Sequence, residues 1–156
     1  MSPGPQVPPS AQGSGRAASE PVNGRRRPYG DAVIDFSNGS VFKLSPCAAD
    51  EIAPAIAPLT IPGEQFVASF KAVRDFVVFT DKRLIAVNVQ GITGKKRDFT
   101  SLPYSKVQAF SIETAGTFDL DAELDLWFSG LGKVRLEFKG SADIRQLGQM
   151  IATYVL

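Results

Sequence analysis

One ten-residue stretch alternates strictly between apolar and polar residues, and it constrains the fold more than any other part of the chain. Residues 119–128 place five apolar side chains on one side of an extended backbone: Leu120, Ala122, Leu124, Leu126 and Phe128. The other side carries four carboxylates and one indole: Asp119, Asp121, Glu123, Asp125 and Trp127. Side chains of a β-strand point alternately to its two faces. The stretch is therefore predicted to be a strand with one buried face and one solvated face.

The next segment repeats this pattern, so the two segments are predicted to form a hairpin. Residues 133–139 alternate between cationic or acidic side chains and apolar ones. A two-residue loop would set an inward residue of one strand opposite an outward residue of the other. A loop with an odd number of residues, most simply residues 129–131, keeps the apolar faces of both strands on the same side and sets Asp125 opposite Arg135. We therefore predict either this three-residue loop or a bulge between the two strands.

Earlier segments predict further strands. Asn38-Gly39 is a hairpin signal and residues 41–44 a short strand. Between residues 65 and 114, turn signals separate five apolar runs, in the last of which Val107 and Ala109 are expected to face away from Phe110. We expect about seven strands in all.

Two helices are predicted beside these strands. Ser45-Pro46 has the character of an N-cap followed by proline at the first helical position, for a short helix over residues 48–57. Near the C-terminus, Ser141 is a good N-cap for an amphipathic helix with apolar residues at helical spacing: Ile144, Leu147, Ile151 and Tyr154. A helix after a run of strands suggests that it plugs the open end of a small barrel.

Composition argues against most enzymes. The chain has no histidine, and Cys47 is its only cysteine. This removes the commonest general base, the histidine-activated nucleophiles and the zinc sites built from Cys and His. We therefore expect a non-enzymatic protein without a metal or cofactor. No apolar run approaches the ~20 residues that span a bilayer, and the N-terminus lacks a secretory h-region, so we expect a cytoplasmic protein.

The N-terminal segment differs in composition from the rest. Residues 1–32 are rich in Pro, Gly, Ser and Arg and poor in core-forming residues, so they are predicted to be disordered. The folded domain is predicted to cover residues 33–156. Arg25-Arg26-Arg27 is interpreted as a solvated charge run rather than a specific site for nucleic acid or anionic lipid, because three arginines give weak electrostatic binding.

Several short motifs resemble the bacterial pleckstrin-homology (PH) domain family, once catalogued as a domain of unknown function. They occur in order as Phe70-Lys71-x-x-Arg74-Asp75, Phe79-Thr80-Asp81-Lys82-Arg83-Leu84-Ile85, Gln90-Gly91-Ile92-Thr93-Gly94-Lys95-Lys96, Leu102-Pro103-Tyr104-Ser105-Lys106 and Glu113-Thr114-Ala115-Gly116-Thr117-Phe118-Asp119-Leu120-Asp121-Ala122-Glu123-Leu124. The resemblance implies a mainly β, partly open barrel of two near-orthogonal antiparallel sheets, capped by a C-terminal amphipathic helix. It also implies homo-oligomers, including rings joined through strand edges, and it brings no catalytic residues.

The polar residues offer three candidate sites. Gly94-Lys95-Lys96 fails as a phosphate loop, because Val89 and Lys96 stand where that motif needs Gly and Ser or Thr. The carboxylates of residues 119–125 are interpreted as a charge-paired face, since a flat strand makes no cage for a cation. Basic residues near strand ends are a candidate site for anionic lipid or phosphate, with an ordinary charged surface as the alternative: Lys71, Arg74, Lys82, Arg83, Lys95, Lys96 and Arg97.

Trp127 is the most informative residue for function. Alternation places it on the polar face, where a large aromatic side chain often marks an interface, although packing under a loop of the same chain is the alternative. Phe118 is a second candidate for that interface. The sequence thus predicts a self-assembling binding or scaffold module with a protein or peptide partner. The alternative is a peripheral adaptor for anionic lipid or phosphate.

Overall fold

The computed structural model describes residues 1, 3, 4, 42–118, 120–140 and 142–156. These residues contain eight strands: β1 Phe42–Pro46, β2 Phe66–Lys71, β3 Phe76–Thr80, β4 Arg83–Gln90, β5 Lys96–Pro103, β6 Val107–Glu113, β7 Asp121–Phe128 and β8 Gly132–Lys139. They also contain helices α1 Ala49–Ile56 and α2 Ile144–Val155, and 3-10 turns at Ala57–Leu59 and Tyr104–Lys106. The predicted disordered tail, the boundary at residue 33 and the Asn38-Gly39 hairpin signal lie outside the described residues and stay predictions.

The strands form one curled, open sheet in the order β5-β4-β3-β2-β1-β8-β7-β6. Every neighbouring pair is antiparallel except β1–β8, which is parallel. β1 joins the β2–β5 half to the β6–β8 half, pairing with β2 at its end and with β8 at its start. The predicted fold class is confirmed. The described strands number eight instead of about seven, and the strand predicted at residues 41–44 is the joining strand, which extends to Pro46.

The β7–β8 hairpin has the predicted register. Asp125 lies opposite Arg135, and Leu126 lies opposite Val134. The three-residue loop 129–131 joins Phe128 to Gly132, with Gly130 at a φ of +75° that favours glycine. The parity argument is therefore confirmed.

The sheet separates two apolar cores, because β3 is apolar on both faces. Its residues Val77 and Phe79 lie in the main core, which fills the concave side of the sheet with side chains from both halves. Val78 points the other way, and α1 covers it on the outside of the sheet. This second core consists of five buried residues: Ile52, Ile56, Val78, Ile85 and Val87.

α2 closes the main core as the sequence predicts. Its residues Ile144, Leu147 and Ile151 are buried there, and the helix packs against β6, β7 and the Tyr104–Lys106 turn. Tyr154 is partly exposed and stacks on Tyr104 with 5.8 Å between ring centroids. The apolar spacing of the helix therefore identifies its packed face.

The starts of both helices differ from the prediction. Ser45 and Pro46 pair with Lys71 and Phe70 of β2, so they belong to β1, and α1 begins at Ala49 without a side-chain cap. Strand pairing overrides the local preference of Ser-Pro for a helix start. At α2 the N-cap is Asp143, whose Oδ1 accepts a hydrogen bond from the Gln146 N–H at 3.0 Å. Ser141 lies outside the described residues.

The prediction that Val107 and Ala109 share a face is wrong. Val107 is buried in the main core, while Ala109 is exposed. The pairing of β6 with β7 shifts between these two residues, as at a β-bulge. An extra residue in one strand reverses the faces on one side of the bulge.

Candidate functional site

The convex side of β6–β8, here called the outer face, carries Trp127 between two neighbouring strands. Ala109 of β6 lies opposite it on one side and Lys133 of β8 on the other. The Lys133 Nζ lies 6.0 Å from the centre of the Trp127 ring, at the limit of a cation–π contact. The ring is half-buried, and its small neighbour Ala109 leaves one side of it uncovered by a long side chain. Trp127 is thus placed on a strand surface, as the alternation predicts.

A hydrogen-bonded ion-pair cluster lies beside Trp127 on the outer face. The Arg135 Nε and Nη2 donate to the two carboxylate oxygens of Asp125 at 2.8 and 2.9 Å, and Lys133 adds a contact of 3.4 Å. These hydrogen bonds, with the Arg135 charge, hold the pKa of the Asp125 carboxyl below its usual value. Glu123 pairs with the same arginine at 3.1 Å. These carboxylates form a charge-paired face, and Asp125 is a poor general acid at neutral pH.

β6 forms one edge of the sheet, and its sequence does not protect that edge. Five of its seven residues are exposed. It contains no Lys, Arg or Pro, the residues that commonly block edge-to-edge pairing. The opposite edge, β5, begins with Lys96 and Arg97 and ends with Pro103. The two edges of the sheet therefore differ in their capacity to pair with another strand.

Phe118 is fully exposed, but the structure does not bring it near Trp127. It lies in the β6–β7 loop, before β7 begins at Asp121, whereas Trp127 is near the end of β7. Trp127 lies six positions after Asp121 along the strand, or roughly 20 Å at a rise of ~3.3 Å per residue. The two candidate interface residues therefore belong to different surfaces.

The seven predicted basic residues fall into two separate groups. Lys71 and Arg74 adjoin the β2–β3 loop, and Lys95, Lys96 and Arg97 adjoin the β4–β5 loop at the same end of the strands. The Arg74 Nη2 donates to the Gly91 carbonyl oxygen at 2.5 Å and so ties the two loops together. Lys82 and Arg83 lie at the far end of β3 and β4, roughly 23 Å from the β4–β5 loop at a rise of ~3.3 Å per residue along β4.

The guanidinium of Arg83 is bound within the protein. It makes two hydrogen bonds to the Glu64 carboxylate, at 2.9 and 3.0 Å, and further ones to the Ser101 Oγ and the Leu59 carbonyl oxygen. The bonds from Arg83 are the main reason that the pKa of Glu64 falls to about 2. This arginine ties the α1–β2 connection to β4 and β5, and its donors are directed inward.

Alternation placed Leu120 on the buried face, but it lies before β7 and is exposed. Two fully exposed loop residues were also missed in the sequence. Val73 and Ile92 are fully exposed at the tips of the β2–β3 and β4–β5 loops. The available signal was a β-branched residue inside or directly beside a short polar segment between two strands, where polar residues and glycine are the norm.

Neither a metal site nor a membrane-spanning helix is found among the described residues. They include no group of three or more Cys, Asp or Glu side chains placed to hold a metal ion. No helix among them is both long and apolar enough to cross a membrane.

Known proteins are similar to this chain in sequence, and solved structures are similar to it in fold. It is 47% identical over 121 residues to the uncharacterized protein YjqA of Bacillus subtilis (strain 168), which is 76% of this chain and 94% of YjqA. It is 28% identical over 103 residues to the uncharacterized protein YozO of the same strain, covering 66% of this chain and 89% of YozO.

Two solved structures resemble the chain along nearly their whole length. One is a DUF1696 family protein with a pleckstrin-homology domain from Shewanella loihica PV-4, with a TM-score of 0.64 and 40% identity over 74% of this chain and 99% of that one. The other is a pleckstrin-homology domain from Shewanella amazonensis SB2B, with a TM-score of 0.54 and 39% identity over 78% and 97%. The family model for the bacterial PH domain matches residues 35–155, and the chain therefore belongs to the bacterial PH domain family.

Proposed function

We propose that this protein is a non-enzymatic scaffold in the cytoplasm that assembles with copies of itself and binds a protein or peptide partner. The PH fold suggests a binding or scaffold module. The observation that carries the proposal is the unprotected edge of β6, beside the half-buried Trp127 of the outer face.

The edge of β6 supports pairing with another strand. An edge strand offers unpaired backbone N–H and C=O groups, and a second chain satisfies them by extending the sheet. Gln108, Ala109, Ser111 and Glu113 are exposed and carry only one charge among them. Two β6 edges joined across a twofold axis make a closed dimer, whereas β6 joined to a different surface makes a ring or a filament. The number of subunits in the oligomer therefore distinguishes a twofold β6–β6 contact from a contact between β6 and a different surface.

Trp127 supplies the aromatic anchor in this proposal. Tryptophan is enriched among the residues that contribute most to binding at protein interfaces. A strand added beside β6 lies next to Ala109, and the indole is the next large side chain inward on the outer face. A partner that reaches across Ala109 covers the open side of the ring.

Ser111→Lys tests the edge. The new ammonium lies opposite Asp125 in the β6–β7 register, so the fold tolerates it, but it places a charge on an edge that must pair. We expect light scattering after size-exclusion chromatography to show oligomers for the wild type at tens of micromolar and at least a tenfold weaker assembly for the variant. Gln65→Lys adds the same charge at an exposed position before β2 and is expected to assemble like the wild type. A strictly monomeric wild type contradicts the proposal.

Trp127→Glu tests the aromatic anchor separately. The introduced carboxylate lies opposite Lys133, which favours a folded monomer. Loss of the indole is expected to weaken assembly about tenfold or more, which corresponds to ~1.4 kcal/mol or more. Unchanged assembly, with a thermal unfolding transition like that of the wild type, removes Trp127 from the interface and leaves the β6 edge to be judged by Ser111→Lys.

A further inference from the structure

The exposed residues of β6 alternate between the outer face and the opposite side of the sheet. Ala109, Ser111 and Glu113 lie on the outer face. Phe110 and Ile112 point to the other side, where Phe110 packs partly against the main core and Ile112 is 38% exposed. A strand added beside β6 therefore meets polar or small residues on one face and apolar residues on the other. Its own side chains must alternate in the same way.

Glu113 is a charge that β6 leaves without a partner at the edge of the sheet. It lies directly opposite Glu123 of β7, and like charges in this arrangement are unfavourable. The Glu123 carboxylate is already paired with Arg135 at 3.1 Å. Arg145 of α2 lines one cavity with Thr114, the residue after β6, but no lysine or arginine among the described residues forms an ion pair with Glu113. A cation on an added strand would neutralise this charge.

Trp127 defines the other end of the contact. It lies opposite Ala109, so a side chain placed opposite Ala109 on an added strand projects beside the open side of the indole. Glu113 lies four positions after Ala109, or roughly 13 Å further along β6 at a rise of ~3.3 Å per residue. Ser111 between them is small and uncharged. The edge therefore presents a charged position and an apolar position at a fixed spacing.

We infer that β6 selects a peptide strand that carries a lysine or arginine opposite Glu113 and a large apolar side chain opposite Ala109, in contact with Trp127. In antiparallel pairing, the commoner arrangement, the basic residue comes first in the partner and the large apolar residue follows four positions later. The partner residues opposite Phe110 and Ile112 are apolar as well. β6 itself contains no lysine or arginine, so a second β6 does not supply the cation. This inference rests on the proposed role of β6 in strand addition and names the chemistry of the partner.

Tryptophan fluorescence tests the inference, because Trp127 is the only tryptophan of the chain. The probe is the capped peptide Thr-Arg-Val-Thr-Val-Leu-Thr, titrated into protein that is diluted below its assembly range. We expect a saturable shift of the emission to shorter wavelength. At low salt the peptide with Glu in place of Arg is expected to bind roughly fivefold more weakly, and added salt is expected to reduce this difference. The peptide with Ser in place of Leu is expected to leave the emission nearly unchanged.

A charge exchange tests the role of Glu113 itself. Glu113→Lys sets an ammonium opposite Glu123, which favours a folded protein, and is expected to bind the Glu peptide more tightly than the Arg peptide. Asp50→Asn removes an exposed carboxylate from the first turn of α1 and is the matched control, with the wild-type preference expected. A Glu113→Lys variant that still prefers the Arg peptide overturns the inference. Equal affinity of the wild type for both peptides, or binding of neither, overturns it as well.

The same titration separates this inference from self-assembly. A wild type that remains monomeric but binds the Arg peptide with the expected preference supports the inference and contradicts self-assembly. A wild type that assembles through β6 but shows no preference between the Arg and Glu peptides supports self-assembly and overturns the inference.

Discussion

At the residue scale, Arg83 shows that the sequence alone does not tell whether a charged side chain is available to bind an anion. Its position near a strand end suggested anion binding. In the structure its side chain is 19% exposed and bonds to a Glu64 side chain that is fully shielded from solvent. The two residues are 19 positions apart, with β2 and β3 between them in the sequence. Local sequence does not reveal a contact of this range, whereas the alternation that places Trp127 on the outer face is local and was predicted.

Removing the Glu64 charge is expected to destabilise the fold. Glu64→Gln takes away the charged acceptor of Arg83 and leaves the guanidinium partly unpaired. A cost of about 1–3 kcal/mol in the free energy of unfolding at pH 7 is expected. Urea denaturation followed by circular dichroism measures it. Glu51→Gln, which breaks the exposed pair with Lys71, is the matched control and is expected to have little effect.

The same pair makes stability depend on pH. The folded-state pKa of Glu64 is about 2, below its usual value of 4.5, so the carboxylate stabilises the fold fully above about pH 4.5. That contribution is lost as the pH falls from 4.5 towards 2. The difference in unfolding free energy between the wild type and Glu64→Gln is therefore expected to shrink over this range. A difference that stays constant from pH 7 to pH 3 contradicts this role of Glu64.

At the element scale, strand periodicity predicted most of the sheet but not its irregularities. The β7–β8 register followed from the period of two, because only an odd loop keeps both apolar faces inward. The bulge in β6 places Val107 on the opposite face from the predicted one. The sequence did not predict this, because nothing in a run of mixed apolar and polar residues indicates where a strand gains an extra residue. The start of α1 was misplaced because pairing of Ser45 and Pro46 with β2 outweighs their local preferences.

The contact between α2 and β6 depends on a glycine. A Cβ at Gly148 would lie 3.2 and 3.3 Å from two carbons of Ile112, tighter than usual packing. Gly148→Leu is expected to push α2 away from β6 and to lower the unfolding free energy by about 1–3 kcal/mol. Gln149→Leu, at the next and exposed position, is the control and is expected to change it by less than about 0.5 kcal/mol. Equal thermal stability of the two variants contradicts this packing.

At the scale of the whole molecule, the fold positions two surfaces with different chemistry. The unprotected β6 edge and Trp127 occupy the outer face of one half of the sheet, and the β2–β3 and β4–β5 loops form one end of the other half. The motifs of the sequence were sufficient for the family and the fold class. They did not reveal Val73 and Ile92 as exposed tips, because exposure depends on how two hairpins meet. The proposed self-assembly rests on an open sheet with one protected and one unprotected edge.

Sedimentation velocity of the wild type and Ser111→Lys across a hundredfold range of concentration tests self-assembly through β6 most directly. The account predicts a wild type that sediments as a closed oligomer of defined size and a Ser111→Lys variant that shifts to the monomer as it is diluted. A wild type that sediments as a monomer throughout, or a variant that assembles as tightly as the wild type, would contradict it.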